Sequence, residues 1–217
     1  MRTGLFITLE GLDGCGKSTQ ARLLKEYLTG RGYDTVLTRE PGGTPLAEAV
    51  RSLILTPTEE ELDPMAEALL YAAARAQHVN GLIRPALAAG KIVISERFVD
   101  SSLAYQGFGL GRGLELIREI NRLALGDFAP DLTFLLDVKV EQGSFRVNHR
   151  SHSVRSKPDR IESRGANFYE QVRRGYLELS RMEPQRIVLI AAELTIEEVQ
   201  AEIIRRVLER LNPEALD

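Results

Sequence analysis

Gly11-Leu12-Asp13-Gly14-Cys15-Gly16-Lys17-Ser18 follows a short apolar run, Leu5 to Leu9, and opens a helical pattern that starts near Lys17. The spacing G-x-x-x-x-G-K-S between a strand and a helix reads as a P-loop. Its glycines let the backbone turn tightly and point successive N–H groups inward, toward an anion at the positive end of a helix. Lys17 is expected to reach the β- and γ-phosphates of a nucleoside triphosphate, and the Ser18 hydroxyl to hold Mg²⁺. Gly11, Leu12, Asp13, Gly14, Cys15, Gly16 and Thr19 complete the expected nucleotide contacts. A chance glycine-rich turn is the bland alternative. Four fixed positions and the correct flanking elements weigh against it, and lysine is scarce: Lys25, Lys91, Lys139 and Lys157 are the only others.

Working outward, the first helix runs from Lys17 to about Arg31 and stops at Gly30–Gly32. Asp34 to Thr38 reads as a second strand, followed by the turn-rich Arg39-Glu40-Pro41-Gly42-Gly43-Thr44. Thr44 and Pro45 form an N-cap and N1 pair, opening a helix that carries Arg51 and fades by Thr56-Pro57. Asp63-Pro64 starts the longest helical stretch, to about Ala89, disturbed at Gly81 or Pro85. It sets Tyr71 and Arg75 four apart on one face. Lys91 to Ser95 is a third strand, with Glu96-Arg97-Phe98 at its C-terminal end, where α/β sheets carry their chemistry.

Ser101-Ser102-Leu103-Ala104-Tyr105-Gln106-Gly107 leads into a glycine-rich turn ending near Gly113. A helix follows from Leu114 to Leu125, with Ile117, Ile120, Leu123 and Ala124 near one stripe. Asp131 to Asp137 supplies a fourth strand and is followed by a helix to about Asn148. The polar, basic stretch from Arg150 to Arg160 reads as a mobile lid, about 149–160. Ile161 to Met182 is helical, Arg186 to Ile190 is the fifth strand, and Ile196 to Leu211 is a terminal helix with Ile196, Val199, Ile203, Val207 and Leu211 facing the core. The fold class is therefore α/β: one domain, 1–217, with a five-stranded parallel sheet, helices on both faces and a mobile basic lid.

At 217 residues and 43% hydrophobic, the chain can bury a full core. A net charge of −3 makes no electrostatic case for nucleic acid or an anionic membrane. A single cysteine excludes an internal disulfide framework and suits a reducing cytoplasm. No apolar run approaches the ~20 residues of a membrane span. A first strand so near Met1 leaves no room for a signal peptide, so the expectation is a cytoplasmic protein. Cys15, at a helix N-terminus beside Lys17, is expected to be a reactive thiol that ATP protects, with a buried, inert thiol as the alternative. His149 and His152 have a metal-compatible spacing, but without cysteine or carboxylate company they read as solvated loop residues. His78 receives no role.

A P-loop alone leaves open ATP or GTP and what is done with it, although no N-K-x-D guanine-reading signal occurs. Arg39, Arg51, Arg75 and Arg97 fall at or near element ends on one side of the sheet, and arginine suits bidentate phosphate contacts. This fits phosphoryl transfer to a small anionic acceptor.

At these residues the chain resembles the thymidylate kinases, P-loop nucleoside monophosphate kinases that phosphorylate dTMP with ATP. The resemblance runs nearly end to end. It rests on GLDGCGKS, on Thr38 to Thr44 (TREPGGT), on Leu46-Ala47-Glu48 leading to Arg51, and on Tyr71 with Arg75 to Gln77. It continues through Glu96-Arg97-Phe98, Ser101 to Gly107 (SSLAYQG) and Asp159-Arg160-Ile161-Glu162. It implies a cytoplasmic homodimer acting on dTMP and ATP with Mg²⁺. Asp13 would meet the sugar 3′-hydroxyl, Glu40 would lie near acceptor and metal, and Arg51 and Arg97 would hold the dTMP phosphate. Tyr71 would stack on thymine, Arg75 and Gln106 would read its polar edge with Ser102 nearby, and Tyr105 would favour deoxyribose. Lys17, Glu96 and Arg97 are the implied catalytic groups within the sheet, and Ser18, Glu96 and Glu40 the metal-side ones. Arg146, Arg150, Arg155 and Arg160 are lid candidates for closing over ATP, with Arg150 and Arg155 placed among the catalytic residues.

The chain departs from that pattern in places. Glu96 stands where Asp is usual, Tyr71 where Phe is commoner, Ala74 where Asp is common, and Ala191-Ala192 where an Asp-Ala pair is frequent. The lid is a few residues longer, and Gly14-Cys15 in place of an arginine resembles the subtype whose catalytic arginine comes from the lid. The rival readings are a kinase of the same fold acting on another monophosphate or a sugar, and a nucleotide-dependent binding module without turnover.

Overall fold

The computed structural model describes residues 4–153, 159–191 and 194–211, with backbone alone over 147–153. Arg155, Ala192 and the side chains of His149, Arg150 and His152 lie outside that description. Five parallel strands are ordered β2-β3-β1-β4-β5: β1 Phe6–Glu10, β2 Thr35–Arg39, β3 Ile92–Glu96, β4 Leu132–Asp137 and β5 Ile187–Ala191. Thr8 pairs with Ser95 on one side and Thr133 on the other, which makes β1 the central strand. Because β1 is covered on both faces, alternate residues feed two separate cores. Ile7 and Leu9 join Leu24, Leu28, Ile94, Phe134 and Ile203, while Phe6 packs with Val79, Ile83, Leu87 and Phe98. The Phe6 and Phe98 rings meet edge-on at 4.9 Å.

The helices are α1 Lys17–Gly30, α2 Pro45–Leu55, α3 Pro64–His78, α4 Arg84–Ala88, α5 Val99–Ser102, α6 Leu114–Leu125, α7 Val140–Ser153, α8 Ala166–Met182 and α9 Ile196–Leu211. Two starts follow the sequence reading closely. The Thr44 hydroxyl accepts from Ala47 N–H at 3.3 Å ahead of Pro45, and Asp63 Oδ1 accepts from Met65 and Ala66 N–H ahead of Pro64. The disturbance expected at Gly81 or Pro85 is a π-helical turn over Val79–Ile83 that joins α3 to α4. Pro85 has no N–H for the carbonyl one turn back, so the helix widens rather than breaks.

Four readings are corrected. The stretch after Phe98 is helical: α5 continues as a π-helix over Leu103–Gly109. Serines and glycines conceal this because their propensity is poor, yet the glycines are there for packing. A Cβ on Gly109 would sit 2.7 Å from Phe168 and Val172 of α8, and one on Gly175 would sit 2.7 Å from Phe108. Second, α8 begins at Ala166 and not at Ile161, because Asp159 Oδ1 takes the Ile161 and Glu162 N–H groups and holds 159–165 in turns. Third, α7 runs past Asn148 to Ser153, into the segment read as lid. Fourth, Leu123 is exposed, and α6 instead buries Ile117, Asn121 and Leu125; on α9 Ile196 is likewise exposed. Three strands also end one residue beyond their sequence reading, on a charge: Glu10, Arg39 and Glu96 are last in β1, β2 and β3.

Candidate active site

The C-terminal ends of β1, β2 and β3 open on two adjoining cavities. The larger, about 550 Å³, is bounded by Gly14, Gly16, Lys17, Ser18, Arg39 and Glu96. The smaller, about 150 Å³, is bounded by Tyr71, Arg75, Ser102, Tyr105 and Gln106. Asp13, Glu40, Arg51, Arg97 and Glu162 belong to both.

The loop after β1 makes the first cavity. Gly14 and Gly16 take φ of 77° and 103°, a region that glycine enters without strain. Lys17 Nζ donates to the Gly11 and Leu12 carbonyls at 3.0 and 2.8 Å, so its ammonium lies within the loop where phosphate oxygens would compete for it. The Ser18 hydroxyl donates to Glu96 Oε2 at 2.6 Å. Leu12 and Cys15 are buried in the core, so only their backbones can serve a nucleotide, and the Cys15 thiol is not accessible as expected. Thr19, in the first turn of α1, borders neither cavity. Helix α7 packs on the loop from outside. A Cβ on Gly14 would fall 2.4 Å from the Gly143 carbonyl oxygen, and one on Gly143 would fall 2.7 Å from that of Asp13. Arg146, farther along α7, donates to Gly14 O at 3.4 Å.

Arg97 is the junction. It is the one non-glycine residue with positive φ (68°) among the described residues, and its N–H donates to Leu9 O. Such a backbone is held only where its surroundings over-determine it. Here the guanidinium donates to Asp13 Oδ1 at 2.7 Å, Gly11 O at 3.1 Å, and Ser101, Tyr105 and Tyr176 at 3.2 Å. Burial would raise the Asp13 carboxyl, but Arg97 and Lys17 hold it below the usual range, so it is an anion at neutral pH. Arg51 shows the converse. Burial and the neighbouring Arg39 both disfavour its charge, a tension that a bound anion would relieve. Behind Arg97 lies Glu10, wholly buried, whose carboxylate accepts from Phe98 N–H, Ser101 and Tyr176.

The Arg75 end of the second cavity is braced by a buried network. Glu40 follows β2, with a cis bond to Pro41. Its Oε2 accepts from Arg75 Nε at 2.6 Å and its Oε1 pairs with His78 Nδ1 at 3.0 Å, while His78 Nε2 meets Thr38 Oγ1 at 2.7 Å. Gly43 must be glycine beside this network: at φ 84° its Cβ would lie 2.4 Å from His78 Nε2. Arg75 also donates to Ser102 Oγ, Asn121 Oδ1 and Phe98 O. Burial, with Glu67 adding to it, pushes the Tyr71 phenol up, so its ring is a neutral aromatic face on the cavity.

Of the expected site residues, Asp13, Glu40, Arg51, Tyr71, Arg75, Glu96, Arg97, Ser102, Tyr105 and Gln106 border the cavities with the P-loop. Arg160 does not. Its guanidinium donates to Thr56 O and Thr58 Oγ1, and it ties 159–165 to the end of α2. A hard cation that keeps waters and shares phosphate oxygens needs only one or two protein oxygens. Ser18 and Glu96 supply those, and Glu40 borders the same cavity with its oxygens turned to Arg75 and His78. The sequence reading gives no role to His78, Glu67, Glu10 or Glu162. The first two carried a signal. Glu67, Tyr71, Arg75 and His78 recur at helical spacing along an Ala- and Leu-rich helix, and a polar stripe there is read by a site or a network.

Among the described residues no helix is long and apolar enough to cross a membrane. A family model described as thymidylate kinase matches residues 9–203. The thymidylate kinase of Exiguobacterium sibiricum is 51% identical over 206 residues, 95% of each chain. That of Symbiobacterium thermophilum is 46% identical over 209 residues, covering 96% of this chain and 94% of its own. The crystal structure of thymidylate kinase from Ehrlichia chaffeensis superposes with a TM-score of 0.75 at 38% identity, covering 94% of this chain and 98% of that one. With the P-loop, the paired cavities and these relatives in agreement, this chain belongs to the thymidylate kinase family.

Proposed function

We propose that this chain transfers a phosphoryl group from ATP to dTMP, giving dTDP, with the triphosphate in the P-loop cavity and dTMP in the aromatic one. The observation that carries this reading is the shared wall: Arg51 and Arg97 face both cavities. Phosphoryl transfer asks little covalent chemistry of a protein. It asks that two polyanions be brought together in line and their charge be offset. The loop N–H groups and Lys17 bind the donor phosphates, leaving the Gly11 and Leu12 carbonyls as they do so. Arg51 and Arg97 bind the acceptor phosphate from opposite elements, and Asp13 keeps Arg97 aimed. Tyr71 offers a face for the base, Tyr105 crowds the sugar, and Arg75, Gln106 and Ser102 read polar atoms. Ser18 and Glu96 would hold Mg²⁺, which would supply positive charge beside the donor phosphates.

Residues 149–160 serve as a lid of a single functional unit, with Arg146, Arg150 and Arg155 available to exclude water from the donor. The chain works in the cytoplasm as a homodimer. Helix α3, packed against both α2 and α6, supports the homodimer, because these three helices carry exposed Leu53, Leu69 and Leu123. Coupled ADP release with dTMP, dUMP, dCMP, AMP and GMP tests the reading. dTMP should be turned over best; a preference for another monophosphate, or no acceptor-dependent ADP at all, would overturn it.

A further inference from the structure

Glu67 takes no part in the chemistry assigned above and borders neither cavity, yet it is an acidic side chain with no exposure at all. Two side chains hold its carboxylate. Arg164, from the turns that follow the lid, donates NH2 to Oε2 at 2.5 Å and NH1 to Oε1 at 3.3 Å. Gln106 donates Nε2 to Oε1 at 2.9 Å. Arg164 is itself held at 4.7 Å over the Phe168 ring.

A carboxylate only accepts, and a guanidinium only donates. With Arg164 anchoring Glu67, the Gln106 amide can face the pair only through its NH₂ group. The polar acceptor that Gln106 has left for the cavity is Oε1. Arg75 is constrained in the complementary sense. Four of its five N–H groups are engaged by Glu40, Ser102, Asn121 and the Phe98 carbonyl, so what it retains for the cavity is a donor. One donor beside one acceptor matches the C4=O and N3–H edge of thymine or uracil. It is inverted for cytosine, which presents an amino group and a bare N3.

We propose that Glu67 is a positioning residue that sets the polarity of the base cavity: clamped by Arg164, it fixes the Gln106 amide so that the site accepts a pyrimidine carrying a proton on N3. The proposal rests on the reading of the smaller cavity as the dTMP site. It also connects base selection to the segment after the lid, through Arg164.

Glu67→Gln tests it at constant volume. Arg164 would claim the carbonyl of the new amide, whose NH₂ would then turn to Gln106 and oblige it to rotate. Steady-state kcat/KM for dTMP, dUMP and dCMP at saturating ATP is the measurement. The dTMP-to-dCMP ratio should fall by about tenfold or more, on the scale of a mismatched polar pair. The dTMP-to-dUMP ratio and the KM for ATP should stay within about twofold, and Glu67→Asp should restore the dTMP-to-dCMP ratio. Equal loss on all three acceptors, or an unchanged ratio, would reduce Glu67 to a structural ion pair and overturn the proposal. Should Glu67→Gln not fold, the double variant Glu67→Leu/Arg164→Leu removes both charges together. It also frees Gln106, and the same loss of ratio is expected from it. A wild type that ignores dTMP would instead sink the assignment of the cavity; a wild type that prefers dTMP while the variants keep its ratio would sink only the role of Glu67.

Discussion

Ser18 and Glu96 are joined directly, the hydroxyl of the first helical turn donating to a carboxylate at the end of β3 across 2.6 Å. Glu96 therefore reaches the phosphate cavity without any shift of its strand, and the extra methylene relative to aspartate is used in that reach. If it serves the metal, Glu96→Gln should lower kcat by about 10²-fold, the scale of a lost electrostatic stabiliser. The Mg²⁺ requirement should shift upward while the KM for dTMP changes little. Glu96→Asp should retain activity. Mg²⁺ titrations of the three proteins check this, and an unchanged profile for Glu96→Gln would remove the metal-side role.

Arg51 is the cleaner probe of the acceptor phosphate. Among the described residues its one hydrogen bond runs to the Pro41 carbonyl at 2.9 Å, so truncation strips no buried charge of a partner there. Arg51→Ala should lower kcat/KM for dTMP by about 10- to 100-fold, as expected for a charge-assisted phosphate contact. ATP affinity by calorimetry and the melting temperature should move little. Arg75→Ala would be harder to read, because it also strips partners from buried Glu40, Ser102 and Asn121.

His78→Leu tests the brace beneath Glu40. It leaves Glu40 Oε1 and Thr38 Oγ1 without their partner in a fully buried setting. A loss of about 1–3 kcal/mol in urea unfolding is expected, together with a raised KM for dTMP. Full stability would mean that water or a neighbour replaces the imidazole at no cost.

Glu10 predicts a pH dependence. Burial, with Asp100 adding to it, raises its carboxyl to about 7, against the opposing hydrogen bonds of Ser101 and Tyr176 and the charge of Arg97. The native state therefore holds this proton more tightly than the unfolded chain does. Its contribution is fully present below about pH 4.5 and is lost as pH rises through about 7. Urea unfolding at pH 5, 6, 7 and 8 should show stability falling across that window, and Glu10→Gln should flatten the fall. Parallel curves for the two proteins would contradict this.

Cys15 should resist alkylation in the folded protein and react only as the loop opens, so ATP and urea should act on labelling in opposite directions. Rapid native labelling, followed by mass spectrometry, would return the thiol to the reactive class.

Much of this was legible in the sequence because the decisive groups sit on short motifs whose geometry is local: the P-loop, the Thr44-Pro45 and Asp63-Pro64 helix starts, and Glu96-Arg97. What was not legible depends on contacts between distant segments. Strand ends were read short because hydropathy stops at a charge, whereas Glu10, Arg39 and Glu96 stay in the ladder to place their side chains at the site. The helix through Leu103–Gly109 was hidden because its glycines answer to Phe168 and Phe108, which lie far along the chain. Glu67 and His78 were passed over because a lone charged or titratable residue on a helix is usually solvated. Partners brought in from elsewhere, Arg164 and Gln106 for Glu67 and Glu40 and Thr38 for His78, make their burial tolerable.

The approach of Gly143 to Gly14 bears on the mutational history open to this chain. Position 14 is where a side chain on the loop would have to stand to bring an arginine to the phosphates, and its Cβ would strike a backbone carbonyl of α7, on a φ that L-residues rarely adopt. An arginine substituted at position 14 would therefore be obstructed while helix α7 stands where it does. Helix α7 would have to retreat first, and its retreat would take Arg146 from the loop before any replacement was in place.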